Sequence, residues 1–288
     1  MPPSHAGKPT ARDVRRTVKA GRTDVYHVGV TDRPGGGASS QQFPDLGTAG
    51  VDLPADALPS WLPPVLATLA DGCGGSASGS GWLRRIGGRL RASGGAVPFA
   101  VVHDWQARTV LPMVLAALEP AGPSEAADSM AALRRLHARA ADGEPAEEAT
   151  WLAALEPALY ELYRLAYDYA ASYASAHASA TAYASANNFT PDGAVSFAES
   201  YAAHSADANR QSFAESNAPA AAAALATAYA RPAGSPAAEA ALAEAYPFAL
   251  VRACAQAVGN AADSDGAGRR QAYLRLADGL ADSLDRLG

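Results

Sequence analysis

Tyr169, Tyr173 and His177 follow one another at four-residue steps in a stretch built almost entirely from Ala, Ser and Tyr. On a helix they stand in one column. Two phenols and an imidazole so placed could line a polar cavity, giving hydroxyls to orient a ligand and a ring nitrogen for proton transfer. His177 is the candidate for acid–base work, because an ordinary imidazole titrates near neutrality and a phenol at about 10. Tyr173 would orient the ligand. His204, sharing a helix face with Phe197 and Tyr201, is a second imidazole that could face the same interior. Tyr169, Tyr173, Tyr201 and His103 are the candidate ligand contacts. The plainer alternative is that these rings fill gaps left by small Ala neighbours, their hydroxyls turned to water or to a backbone carbonyl.

Other chemistries find less in the sequence. His103-Asp104 sets an acid beside an imidazole, but adjacent residues on a helix diverge by about 100°. Asp104 therefore reads as a first-turn charge favoured by the helix dipole rather than as the orienter of a base. The six histidines (His5, His27, His103, His137, His177, His204) include no pair at four-residue spacing and no Glu-x-x-His, so no metal site is expected on any one helix. A phosphate-binding Walker loop needs a Lys, and the only lysines are Lys8 and Lys19. The Gly/Ser-rich run Gly72–Gly81 contains neither G-x-G-x-x-G nor G-x-S-x-G. No cofactor is called for.

The column needs helices to hold it. Stepping by three and four from Leu152 gives Leu155, Leu159, Leu162, Ala166, Tyr169, Tyr173, Ala176, Ala180 and Tyr183, which predicts one long helix from about Trp151 to Asn187, with Pro157 inside it. A second row, Ala166, Ala170, Ala174, Ala178, Ala182 and Ala186, carries only methyl groups and is expected to be a close-packing surface. Asn187-Asn188 should end the helix and Thr190-Pro191 start the next. Further helices are expected over 97–118, bent at Pro112, then over 125–141, 220–230, 237–258 and 269–287. Ser196-Phe-Ala-Glu-Ser200 recurs sixteen residues later as Ser212-Phe-Ala-Glu-Ser216. Sixteen residues are about 4.4 helical turns, so the two copies are expected to face different ways.

Before Val97 the periodicity fades. Val25–Val30 is a strand candidate followed by a Pro-Gly turn. Ser60 to Leu69 reads as a Ser-capped helix with early prolines, and Trp82–Leu90 as a short basic helix. The expected architecture is mainly α: an Ala-rich helical bundle over 97–288 behind a loop-rich N-terminal region, 1–96, with at most one or two short strands. Ala supplies 72 of the 288 positions. The formal charge of −6 is uneven, with 11 Lys+Arg against 7 Asp+Glu before residue 92 and 12 against 22 after it. An acidic helical part is a poor phosphate binder, so nucleic acid is not an expected partner. Arg84, Arg85, Arg89 and Arg91 would instead touch acidic residues of this chain. The opening residues lack the apolar core of a signal peptide, no stretch suits a membrane span, and two isolated cysteines fit a reducing compartment. The expectation is a cytoplasmic protein.

The segment Asp104-Trp-Gln-Ala-Arg-Thr-Val-Leu-Pro-Met113, followed by Leu118-Glu119-Pro120, an Arg-Leu-His-Ala-Arg-Ala helix and Ala-rich helices with Tyr and His, resembles bacterial helical immunity-type proteins of polymorphic-toxin systems. The likeness spans about half the chain and finds no counterpart in residues 1–96. What it implies is a binding protein, and it carries over no catalytic residues. Together these readings point to a helical protein that binds a partner protein or a small ligand. The competing reading is a biosynthetic enzyme or small-molecule binder with a Tyr/His-lined cavity between helices.

Overall fold

The computed structural model describes residues 57–74, 81–262 and 266–288, all within the second of two compact units, Gln42–Gly288. The N-terminal tail, the Val25–Val30 strand candidate and the middle of the Gly/Ser loop lie outside the described residues. What is described is mainly α-helix: α1 Leu62–Gly72, α2 Gly81–Ala92, α3 Ala100–Trp105, α4 Leu111–Leu118, α5 Glu125–Ala141, α6 Glu148–Ala166, α7 Tyr169–Ala186, α8 Pro191–Ala230, α9 Pro236–Glu244, α10 Pro247–Ala261 and α11 Ala267–Leu287. Among the described residues no helix is long and apolar enough to cross a membrane.

Residues before 97 contribute to the same core as those after it. Trp61, Leu62, Val65, Leu66 and Leu69 are buried from α1, and Trp82, Leu83, Ile86 and Leu90 from α2. The N-cap of α1 is Trp61 rather than Ser60, and no side chain caps it. The arginine helix meets acid from its own chain as expected: Arg85 pairs with Asp282 and Asp285 of α11 at 2.6 and 2.5 Å. Arg89 donates to the carbonyl of Gly288.

Pro112 does not merely bend its helix. Between α3 and α4 the chain runs through one π-helical turn, Gln106–Val110. Proline has no N–H to give the carbonyl four residues back and its ring crowds that carbonyl; a wider turn just ahead of it relieves both problems. The turn sets Thr109 against Gly279 of α11, where an added Cβ would lie 2.3 Å from the Thr109 side chain. Only glycine fits there.

The long helix expected from Trp151 to Asn187 is two helices. Asp168 breaks it by capping α7, accepting from Ala171 N at 3.0 Å, and Asn260 of α10 donates to the freed carbonyls of Leu165 and Tyr167 at 2.8 and 3.1 Å. The last carbonyls of a helix have no partner inside it, and a sequence pattern in α6 and α7 cannot show a donor almost a hundred residues away. In the other direction, 220–230 is not a separate helix. It continues α8, whose 40 residues span roughly 60 Å at 1.5 Å per residue. Pro219 is tolerated because it sits on the exposed side, where the carbonyl it leaves unpaired is open to water.

α6 and α7 lie one after the other along α8, with Trp151 at one end against Tyr229 and Phe213 midway against Tyr163 and Tyr167. Small residues do mediate the contact, but not those of the expected row. Ala170, Ala174, Ala178, Ala182 and Ala186 are exposed; the buried methyls are Ala180 and Ala184 of α7 facing Ala198, Ala202 and Ala206 of α8. The two Phe-Ala-Glu copies also turn out to be equivalent. Ala198 and Ala214 are both buried, and Phe197 and Phe213 each rest on tyrosine, because α8 meets α7 with its first half and α6 with its second. Ala202→Leu is accordingly expected to cost about 1–3 kcal/mol through overpacking, and Ala174→Leu less than about 0.5 kcal/mol as a surface change. Urea melts of the two variants check this, and equal shifts would place α7 in a different register on α8.

Candidate functional site

The expected column forms. Along α7 the rings of Tyr169 and Tyr173 lie 6.4 Å apart and those of Tyr173 and His177 6.0 Å apart, nearly parallel in both pairs. The Arg210 guanidinium of α8 covers the Tyr169 ring at 5.1 Å, a cation over an aromatic face. The column is half-buried along the flank where α7 meets α8. His204 is exposed on α8, and among the described residues no ring contact or hydrogen bond joins it to the column. Tyr201 stacks on Phe197 at 5.9 Å. His177, Tyr173 and His204 are thus not brought around one closed volume.

Where α7 turns into α8 the aromatic residues gather. Asn188 takes a left-handed conformation at φ 55°, which Asn tolerates better than most residues. Thr190 caps α8 by accepting from Gly193 N at 3.3 Å. Around this turn Tyr183, Phe189, Phe197 and Tyr201 form a chain of ring contacts between 5.3 and 6.3 Å. Tyr183 is 56% exposed, Val195 57%, Tyr201 49% and Phe189 41%. Elsewhere among the described residues only Tyr246 and Leu287 are large apolar side chains so open to water. From residue 165 to 209 there is no Lys or Arg, and Asp192 and Glu199 of α8 are exposed.

A second grouping is wholly internal. His103 of α3 and His137 of α5 meet Nδ1 to Nδ1 at 3.0 Å in the core. Trp151 of α6 stacks on His103 with centroids 5.3 Å apart and planes 13° apart, and Tyr229 of α8 closes the box at 5.0 to 5.1 Å from the other three rings. Two ring nitrogens at that distance share one proton, one donating and the other accepting, which requires at least the accepting imidazole to be neutral. Burial enforces this. It pushes His103 down to about 4 and His137 well below its ordinary range, the latter also through the proximity of His103.

Among the described residues no carboxylate serves the pair. Asp104 faces away, bonded by Arg108 at 2.7 Å and by Arg286 of α11. Burial raises its pKa, but hydrogen bonds from Arg286, Ser283 and Arg108 outweigh that and hold it below the usual range. Next to the box His137, Tyr229, Gln106 and Cys254 share with leucines a cavity of about 20 Å³, room for roughly one water molecule. Burial pushes the Cys254 thiol up to about 12 and raises Tyr229 further, so neither is a nucleophile near neutrality. Among the described residues no three His, Cys, Asp or Glu side chains converge to hold a metal ion.

His103 appears in the sequence as a ligand contact, whereas His137 carries no assignment there. The available signal is its seam position: Met130, Leu133 and His137 share a buried face at steps of three and four, and so do Phe99, His103, Gln106 and Val110. A histidine on each of two apolar seams marks a buried pair. Searched against protein-family models, curated proteins and solved structures, the chain matches none.

Proposed function

We propose that this is a helical interaction protein that works by binding a partner protein through the aromatic turn between α7 and α8, with no chemistry of its own. The observation that carries this reading is the concentration of exposed apolar side chains at that one turn. Water-exposed Tyr, Phe and Val grouped on a rigid element are costly to leave uncovered and are the residue types that anchor interfaces. The resemblance to immunity-type proteins agrees with it, since those also act by binding. Its place is the cytoplasm, in keeping with two unpaired thiols, Cys73 half-buried and Cys254 buried.

Replacing Tyr183, Phe189, Val195 and Tyr201 together by Ser is expected to weaken capture of the partner at least about a hundredfold, since single buried anchors are worth about 2 kcal/mol or more. The melting temperature should stay within a few degrees, because these side chains are exposed. Quantitative co-purification of wild type and variant from the native cells measures it. Recovery of the same partner by both, or of none by the wild type, would remove the proposal.

A further inference from the structure

We propose that the groove between α4 and α5 binds a small amphipathic acid, its hydrocarbon body on an apolar floor and its carboxylate on Arg134. This site is separate from the aromatic turn and does not depend on it. The groove has a volume of about 550 Å³, within the roughly 300–1,000 Å³ of small-molecule sites. Its floor is Pro112, Leu115 and Leu118 of α4 with Ala127 of α5, and its charged members are Arg134 and Glu119. Arg134 stands beside the start of α4, where its Nε donates to the carbonyl of Ala107 at 3.0 Å, and Glu119 stands at the other end, where α4 leads into α5. From Ala127 to Arg134 is seven residues, roughly 10 Å at 1.5 Å per residue. That is about the length of extended octanoate.

The fold makes this cation available. Leu111 N–H donates five residues back, to the carbonyl of Gln106; the next donor in that series would be Pro112, which has no N–H, and Arg134 takes the carbonyl of Ala107 instead. The bond uses only Nε. The two terminal nitrogens have no partner among the described residues, and they form an edge of the guanidinium that meets a carboxylate as a fork. More positive charge lies close by. His103 meets α5 through His137, and Trp105, about 200° further round α3, donates to α11, so Asp104 and Arg108 occupy the strip between those two helices. There Arg108 and Arg286 share the one carboxylate of Asp104, and Arg108 is 65% exposed. Pro112 follows Arg108 on the same helix face, which sets this surplus cation beside the Arg134 end of the groove. Glu119 at the far end penalises a second acid group, so the fit is to a monoacid.

The experiment is calorimetric titration of the full chain with octanoate and with octylamine, which has the same body and the opposite charge. The expected result is saturable binding of one octanoate per chain and no binding of octylamine. Arg134→Gln is expected to weaken octanoate binding at least about tenfold. Ala127→Phe should do the same by filling the groove, with every charge left in place, and it decides alone if Arg134→Gln fails to fold. Arg135→Gln, which removes an exposed cation about 100° away around α5, should leave binding unchanged. No saturable binding, equal binding of octylamine, or octanoate binding that a folded Arg134→Gln or Ala127→Phe leaves intact overturns the site. Equal losses from Arg135→Gln and Arg134→Gln would trace binding to general surface charge and overturn it too.

Discussion

Acidifying the protein from pH 7.5 to pH 4 is expected to remove on the order of 3 kcal/mol of stability through His103 alone, with His137 adding to it. An unfolded histidine binds its proton near pH 6.5, whereas burial holds His103 to about 4 and His137 well below 6.5. The unfolded chain therefore takes up protons over a range in which the folded chain cannot, so stability is complete above about pH 6.5 and falls as the pH drops from there toward 4. Each tenfold change in proton affinity is about 1.4 kcal/mol, which sets the size for His103. Against a typical total of about 5–15 kcal/mol this is a large fraction. Asp104 acts in a separate, lower window. Its depressed pKa contributes stability above about 3.8 that is lost only as the pH falls further. Urea melts at steps between pH 7.5 and 4 measure the slope. The double change His103→Phe/His137→Leu removes both imidazoles and should flatten it, whereas single changes leave one ring nitrogen unpartnered in the core. Equal slopes for wild type and the double variant would show that the pair is not the acid-sensitive element.

How much of this was legible in the sequence follows from the range of each interaction. Helix type and several ends rest on neighbours within four residues: Ser124 caps α5 from Ala127 N, Thr190 caps α8, and Pro112 disturbs the turn just before it. Such signals are local and readable. The break at Asp168 is half local, since its cap is nearby but the partner for the freed carbonyls, Asn260, comes from α10. The Ala register was readable only in part. The three-and-four seam stepped from Leu152 passes through Ala180, which is buried, whereas the all-Ala row through Ala174 is exposed, and only the placement of α8 tells the two apart. The Tyr169–Tyr173–His177 column was correct as geometry along one helix, and its position at the rim of a helix pair came from the same unseen packing. The histidine box is the extreme case. His103 and His137 are 34 residues apart, Tyr229 lies much further along the chain, and a histidine on each of two mainly apolar seams, one of which also carries Gln106, is the only trace that such a meeting leaves in sequence.

Trp151→Ala is expected to cost about 3–5 kcal/mol and Trp151→Phe much less, a difference that tests the box from its apolar side. Trp151 is fully buried and touches His103, His137 and Tyr229 at centroid distances of 4.9 to 5.3 Å. Truncation to Ala takes away the ring on which His103 stacks and leaves a void that four helices cannot easily close. Phenylalanine keeps a ring there and drops the indole nitrogen. That nitrogen has no acceptor among the described residues, unlike the one on Trp105, which donates to the carbonyl of Leu276 at 3.0 Å. A buried donor left unsatisfied costs about 1–3 kcal/mol, so removing it offsets part of the lost volume. Helicity at 222 nm followed in urea measures both variants. The acid response then separates lost packing from lost exclusion of water. Water admitted beside His103 by Trp151→Ala lets the imidazole ionise nearer its ordinary pH, so the loss of stability between pH 6.5 and 4 should shrink in that variant. In Trp151→Phe the pair stays dry and the loss should keep its full size. An undiminished acid response in Trp151→Ala would mean that burial by the other helices, not the indole, holds the histidines neutral.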